Sequence, residues 1–123
     1  MLSPLVTTVS IFQKQPDPEF FSAGQVIFEE GQPGDHMYGI LEGEVDILVN
    51  SKIIETIETG EVFDVGVLVG VKNRTYTAIA KVDSKLVSLD EERFLFAVQE
   101  TPMFAVEVMK SYSKRVSRLQ HMV

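Results

Sequence analysis

Residues 21–49 read FSAGQVIFEEGQPGDHMYGILEGEVDILV, and the way glycines cut this stretch decides the fold. Gly24, Gly31, Gly34 and Gly43 separate runs of β-branched and aromatic residues only a few positions long. Glycine reaches positive φ without steric penalty, so such a series marks tight turns between short strands. The pattern continues outward through EVDILVN, KIIETIETG, TYTAIAKV and KLVSLD, with Asn50–Ser51 and Gly60 as further breaks. EVDILV and KIIETI flank Asn50–Ser51 and read as a hairpin. Strands at this spacing with no helix between them predict an antiparallel sandwich or barrel.

Helical patterns frame the strands. Ser3 as N-cap and Pro4 in the first turn open a helix over 3–13, with Leu5, Val6, Val9 and Phe12 on roughly one face. QPDPEF at 15–20 stops it, because two prolines so close cannot continue a helix. After Asp90 the period changes again: EERFLFAVQE is one helical segment, and Thr101–Pro102 restarts the chain as N-cap and first-turn proline. The last helix, about 102–121, puts Ala105, Val108, Met109, Tyr112, Val116 and Leu119 along one stripe, with Lys110, Lys114 and Arg118 away from it. The expectation is one domain over 1–123, mainly β with flanking helices: helix 3–13, an antiparallel β-roll 19–90 and C-terminal helices 91–121.

Composition narrows the function. Of the 123 residues 45% are hydrophobic and 24% charged, as in an ordinary globular chain. No run approaches the roughly 18–20 apolar residues that span a bilayer. The N-terminus has neither a basic segment nor a small-residue cleavage site, and there is no cysteine, which together suit a cytoplasmic protein. Residues 1–100 hold 7 Lys/Arg against 17 Asp/Glu, whereas 101–123 hold 4 against 1. The acidic body repels nucleic-acid backbones and argues against DNA as a partner.

The ordered glycines, with Tyr38 and the alternating strand after Gly43, make the 21–49 stretch resemble the opening of the cyclic-nucleotide-binding domain. This is the β-roll module of catabolite-activator-type regulators and of kinase regulatory subunits. KLVSLDEERF resembles that family's last strand and following helix, and ETPMFAVEVMKSYSKRV its C-terminal helix region. The family's phosphate-binding cassette reads phenylalanine–glycine–glutamate–leucine–alanine–leucine, then a variable stretch, then arginine and small residues. Here it starts at Phe63. Asp64 stands for the glycine, Val65 for the glutamate, Gly66 for the leucine and Val67 for the alanine, while Leu68 matches. Asn73 replaces a frequent proline, Arg74 and Thr75 match, and Tyr76 replaces a small residue.

The resemblance implies that Arg74 and the backbone amides of 64–68 hold a cyclic phosphate, through guanidinium pairing and a helix N-terminus. It implies that Val65 removes the acceptor of the ribose 2′-OH. Thr75 resembles cyclic-GMP-selective members. Asp64 is expected to cap the short helix rather than replace the glutamate. Arg74 has the plainer alternative of pairing with a surface carboxylate, and Tyr76 that of filling part of the pocket.

Catalysis has few parts to work with. The β-roll is related in outline to the metal-holding cupin jelly rolls, but the two histidines, His36 and His121, are isolated in sequence, so no metal site is expected. With no cysteine and no histidine beside a serine, there is no nucleophilic triad. Glu29–Glu30 and Glu91–Glu92 read as solvated surface, and Met103, Met109 and Met122 as core or interface filling.

The expectation is therefore a non-enzymatic regulatory or sensor module that requires no cofactor. Its candidate ligand is cyclic AMP, cyclic GMP or another phosphate-bearing small molecule, bound weakly or in altered fashion. The alternative is a ligand-independent interaction or scaffold protein. Val108, Met109, Tyr112, Val116 and Leu119 are the candidate contact for a protein partner or a second copy.

Overall fold

The computed structural model describes residues 4–122 and, among these, the side chains from Thr8 onward. Helix α1 (Pro4–Gln13) precedes eight strands: β1 (Glu19–Phe21), β2 (Val26–Phe28), β3 (His36–Glu42), β4 (Glu44–Val49), β5 (Lys52–Glu58), β6 (Val62–Phe63), β7 (Thr77–Ala80) and β8 (Ser84–Asp90). Helices α2 (Glu91–Glu100) and α3 (Met103–Gln120) follow. The strands form two four-stranded antiparallel sheets, ordered β1-β8-β3-β6 and β2-β7-β4-β5. This is the β-roll with flanking helices that the glycine and strand pattern predicts. Ser3, expected as the first cap, and the Leu5 and Val6 side chains lie outside the described residues and side chains.

The hairpin turn at Asn50–Ser51 takes the form that strand twist favours. Both residues have positive φ, 51° and 65°, and Val49 pairs directly with Lys52.

Alternation along β3 builds two cores. Tyr38 and Ile40 face the inside of the roll with Phe28, Val45 and Phe63. Met37 and Leu41 face the helices, joining Ile11, Phe12, Phe104 and Val108. Gly39 belongs to this second face for a steric reason. A Cβ there would stand 2.4 Å from the ring of Phe12, which is fully buried. The missing side chain is what lets α1 dock on the roll.

Asp90 caps α2, accepting from the Arg93 amide at 2.8 Å, with Glu91 and Glu92 in the first turn where the helix dipole favours them. Thr101 does not cap α3 with its side chain. Pro102 takes the cap position, and the Thr101 carbonyl accepts from the Phe104 amide at 2.8 Å.

Helix α3 buries Phe104, Glu107, Val108 and Arg115, with Phe104 on Phe12 of α1 and Phe94 of α2 and Arg115 on the Val62 carbonyl of the roll. Val108 is thus a core residue and is not available to a partner. Met109 and Val116 remain exposed, with Tyr112 and Leu119 half-buried between the two faces. Met103, Met109 and Met122 are all more than half exposed, so of the expected core or interface filling the core role does not hold. Among the described residues no helix is long and apolar enough to cross a membrane.

Candidate functional site

Strand β6 delivers Phe63 into the roll interior and then turns sharply at Asp64, whose φ of 64° is left-handed. A short 3₁₀ helix, Val65–Leu68, follows. Asp64 occupies its N-cap position, but its side chain makes no capping bond. That corrects the expected cap. The carboxylate is buried and lies on Arg74.

Arg74 is fixed by the turn that the early glycines build. The Gly31 amide donates to the Arg74 carbonyl at 2.8 Å, the Arg74 amide to the Gln32 carbonyl at 2.7 Å, and Pro33 bridges to Asn73. Gly34 lies against the guanidinium so closely that a Cβ would stand 2.3 Å from Nε. The guanidinium packs on the Phe28 ring, 4.4 Å from its centroid. Nη1 donates to Asp64 Oδ2 and, at 2.8 Å, to the His36 carbonyl. Arg74 therefore pairs with a buried carboxylate of the turn itself, not with one at the surface. Its Nε–H is buried and has no hydrogen-bond partner among the described residues.

The remaining turn residues are unequal. Val65 is half-buried against the core beneath the helices and has no polar side-chain atom to offer. Its amide donates to the Tyr112 hydroxyl at 3.0 Å, so α3 reaches the turn directly. Gly66 accepts from the Val69 and Val71 amides at 3.0 Å, and a Cβ on it would meet Val71 at 3.3 Å. Val67 is half-buried and Thr75 is exposed. Tyr76 does fill space, 5.7 Å from Phe28 centroid to centroid, with a buried hydroxyl that lacks a hydrogen-bond partner among the described residues.

Burial dominates the ionisation of this region. It pushes the Asp64 carboxyl above the usual range for aspartate, with the Arg74 guanidinium opposing the shift. Burial likewise raises the Tyr38 hydroxyl to about 12 and pushes Tyr76 and Tyr112 up.

Two contributors have no counterpart among the residues expected from sequence. Arg115 of α3 donates from Nη1 to the Val62 carbonyl at 2.6 Å and from Nε to Glu55 at 3.0 Å, while lying 4.6 Å over the Tyr112 ring. It ties α3 to β5 and β6. His36 sits between Asp35, 2.9 Å from Nδ1, and the Tyr38 hydroxyl, 3.0 Å from Nε2. A charged residue on the same helical face as Val108 and Tyr112 was the signal for Arg115. Nothing in the local sequence marked His36.

The sequence model of the cyclic nucleotide-binding domain matches residues 18–101, the roll and α2 together. The chain belongs to that family. As a cyclic nucleotide-binding domain it is 27% identical over 106 residues to mouse cGMP-dependent protein kinase 2, covering 85% of this chain and 14% of that protein. Among solved structures it resembles the Thermus thermophilus catabolite activator protein, with a TM-score of 0.73 and 21% identity over 98% of this chain and 61% of that one. It also resembles a protein solved in work on a cyclic-GMP-dependent signalling pathway of bacterial phytopathogenesis. There the TM-score is 0.70 and the identity 26%, over 95% of this chain and 94% of that one.

The cyclic nucleotide-binding domain thus brings Asp64, Val65 and Arg74 together, with the Tyr112 hydroxyl bonded to the Val65 amide. Thr75 stands apart, exposed on the far side of Arg74 in sequence. A guanidinium with an unused, buried N–H is a donor set that fits a phosphate oxygen.

Proposed function

We propose that this cyclic nucleotide-binding domain is a ligand-sensing regulatory module whose cyclic-nucleotide binding is weakened relative to a complete cassette. The observation that carries the reading is Arg74, held against Asp64 of the cassette turn with a buried Nε–H that has no acceptor among the described residues. Such a donor costs about 1–3 kcal/mol to leave unsatisfied, and a phosphate oxygen would relieve it. Weakening follows from Val65. Losing a charge-assisted bond to the ribose 2′-OH removes roughly 1.5–3 kcal/mol, or ~10- to 100-fold in affinity. Cyclic GMP is the first ligand to test, since the mouse kinase is cGMP-dependent and Thr75 follows Arg74.

The signal would leave through α3, which touches the cassette at Tyr112. Its exposed edge supports a second copy as partner. Ala105, Met109, Tyr112, Val116 and Leu119 follow alternating steps of four and three, the spacing of a two-helix seam. Met109 is 62% and Val116 50% exposed along that edge.

The experiment is the thermal midpoint of the protein with millimolar cyclic AMP or cyclic GMP, beside Arg74→Ala. A ligand at ~100 times its Kd adds about 2.7 kcal/mol, a shift of several degrees for a domain of this size. A shift that vanishes in Arg74→Ala supports a sensor. No shift with either nucleotide, in the wild type or with Val65→Glu, would leave a ligand-independent interaction protein as the better reading.

A further inference from the structure

We propose that the Asp64 carboxylate is a built-in competitor for the ligand's phosphate, holding Arg74 until a nucleotide displaces it. The proposal rests on the regulatory reading above and names the residue that sets the threshold of that site.

A carboxylate and a phosphate present the same feature to a guanidinium, an anionic oxygen in the plane of its N–H groups. Asp64 Oδ2 takes Nη1 of Arg74, and both side chains are about 95% buried. A phosphate that reaches Arg74 must therefore share the cation with a charge already there, or expel it.

The backbone gives no separate reason for a carboxylate at this position. Asp64 has a φ of 64°, a region that glycine enters freely and other L-residues at a cost. Its side chain caps nothing. The bond to Arg74 is its one hydrogen bond among the described residues.

The second donor of the turn is engaged as well. The Val65 amide donates to the Tyr112 hydroxyl. Arg74 Nη1 and the Val65 amide, two of the donors that would grip a cyclic phosphate, thus hold oxygens of the chain itself. Arg74 Nε–H has no acceptor among the described residues, so the cation keeps a hydrogen-bonding position that these contacts do not use.

A competitor at Asp64 acts differently from the change at Val65. Missing the ribose contact weakens binding by a fixed factor. Asp64 also makes binding an exchange, so its removal should tighten every phosphate-bearing ligand whether or not it has a 2′-OH.

Calorimetric titration of cyclic AMP, cyclic GMP and their 2′-deoxy forms into the wild type, Asp64→Gly, Asp64→Asn, Val65→Glu and the Asp64→Gly/Val65→Glu double variant tests this. Asp64→Asn keeps the shape and a hydrogen bond to Arg74, so it decides the matter if Asp64→Gly fails to fold. The expected result is at least a tenfold tighter Kd in the Asp64 variants for ribo and deoxy ligands alike. Val65→Glu should favour only the ribo forms. If the Asp64 variants bind no tighter than the wild type while Val65→Glu does, the competitor is overturned and the regulatory reading stands. If no variant binds, the double one included, both fall together.

Discussion

The Tyr112 hydroxyl lies 3.0 Å from the amide nitrogen of Val65, a contact spanning 47 residues of sequence. It joins α3 to the turn where the family holds phosphate, and Arg115 braces the same tyrosine from one side. Removing the hydroxyl with Tyr112→Phe leaves the Val65 amide without its acceptor. The expected loss is about 1 kcal/mol of unfolding free energy, read by urea denaturation. Faster hydrogen exchange at the Val65 amide should accompany it. Unchanged stability and exchange would mean that the contact carries no energy.

Arg74 and Asp64 should behave as a coupled unit. Arg74→Met leaves a carboxylate buried without its cation and should cost about 3–5 kcal/mol. Adding Asp64→Asn to it should recover a large part of that loss, because no buried charge then lacks a partner. A double-mutant cycle by chemical denaturation measures the coupling. Additive effects of the two changes would show that the pair does not interact.

The pH response in alkali follows from the three tyrosines, which are all the tyrosines of the chain. Burial raises Tyr38 to about 12 and pushes Tyr76 and Tyr112 up as well. An unfolded tyrosine ionises near 10, so the unfolded chain loses these protons first. The stabilisation is whole below about pH 10 and declines as pH rises toward the native values. Ultraviolet titration of tyrosinate should give a native midpoint above that of the urea-unfolded chain. Coincident midpoints near 10 would contradict the buried environment.

The seam on α3 predicts a dimer in solution. Sedimentation equilibrium should give twice the chain mass for the wild type at micromolar concentration. Met109→Glu with Val116→Glu should give a folded monomer, since both side chains are exposed and serve no core. A monomeric wild type would remove the second copy as partner.

Much of this fold could be read in the sequence because its determinants are local. Glycines at strand ends, alternation in β3 and the Asn50–Ser51 turn each depend on a few neighbouring residues. The site was legible only in outline. Arg74 and the 64–68 turn could be aligned by type, but the partner of Asp64 could not. Aspartate before a short helix reads as a cap, and only the left-handed backbone at 64 and the glycine-lined bed at Gly34 reveal that it faces Arg74 instead. The stripe on α3 misled in a similar way. Val108 and Met109 are adjacent letters, yet one lies in the core and the other in solvent, because the roll covers one edge of the stripe and not the other. Arg115 illustrates the converse: a charge on an apolar face is a question that only its long-range partners, Glu55 and Val62, can answer.

The Arg74 guanidinium itself offers the most direct readout. Its Nε–H has no acceptor among the described residues, so its nuclear magnetic resonance signal should lie where an unbonded guanidinium resonates. That signal can be assigned by its absence in Arg74→Lys. Cyclic GMP added to the Asp64→Asn protein should move it in proportion to saturation, as a phosphate oxygen takes the free donor. If the nucleotide binds and shifts other resonances while the Arg74 signal stays in place, the phosphate does not sit on Arg74 and the assignment of the site is wrong.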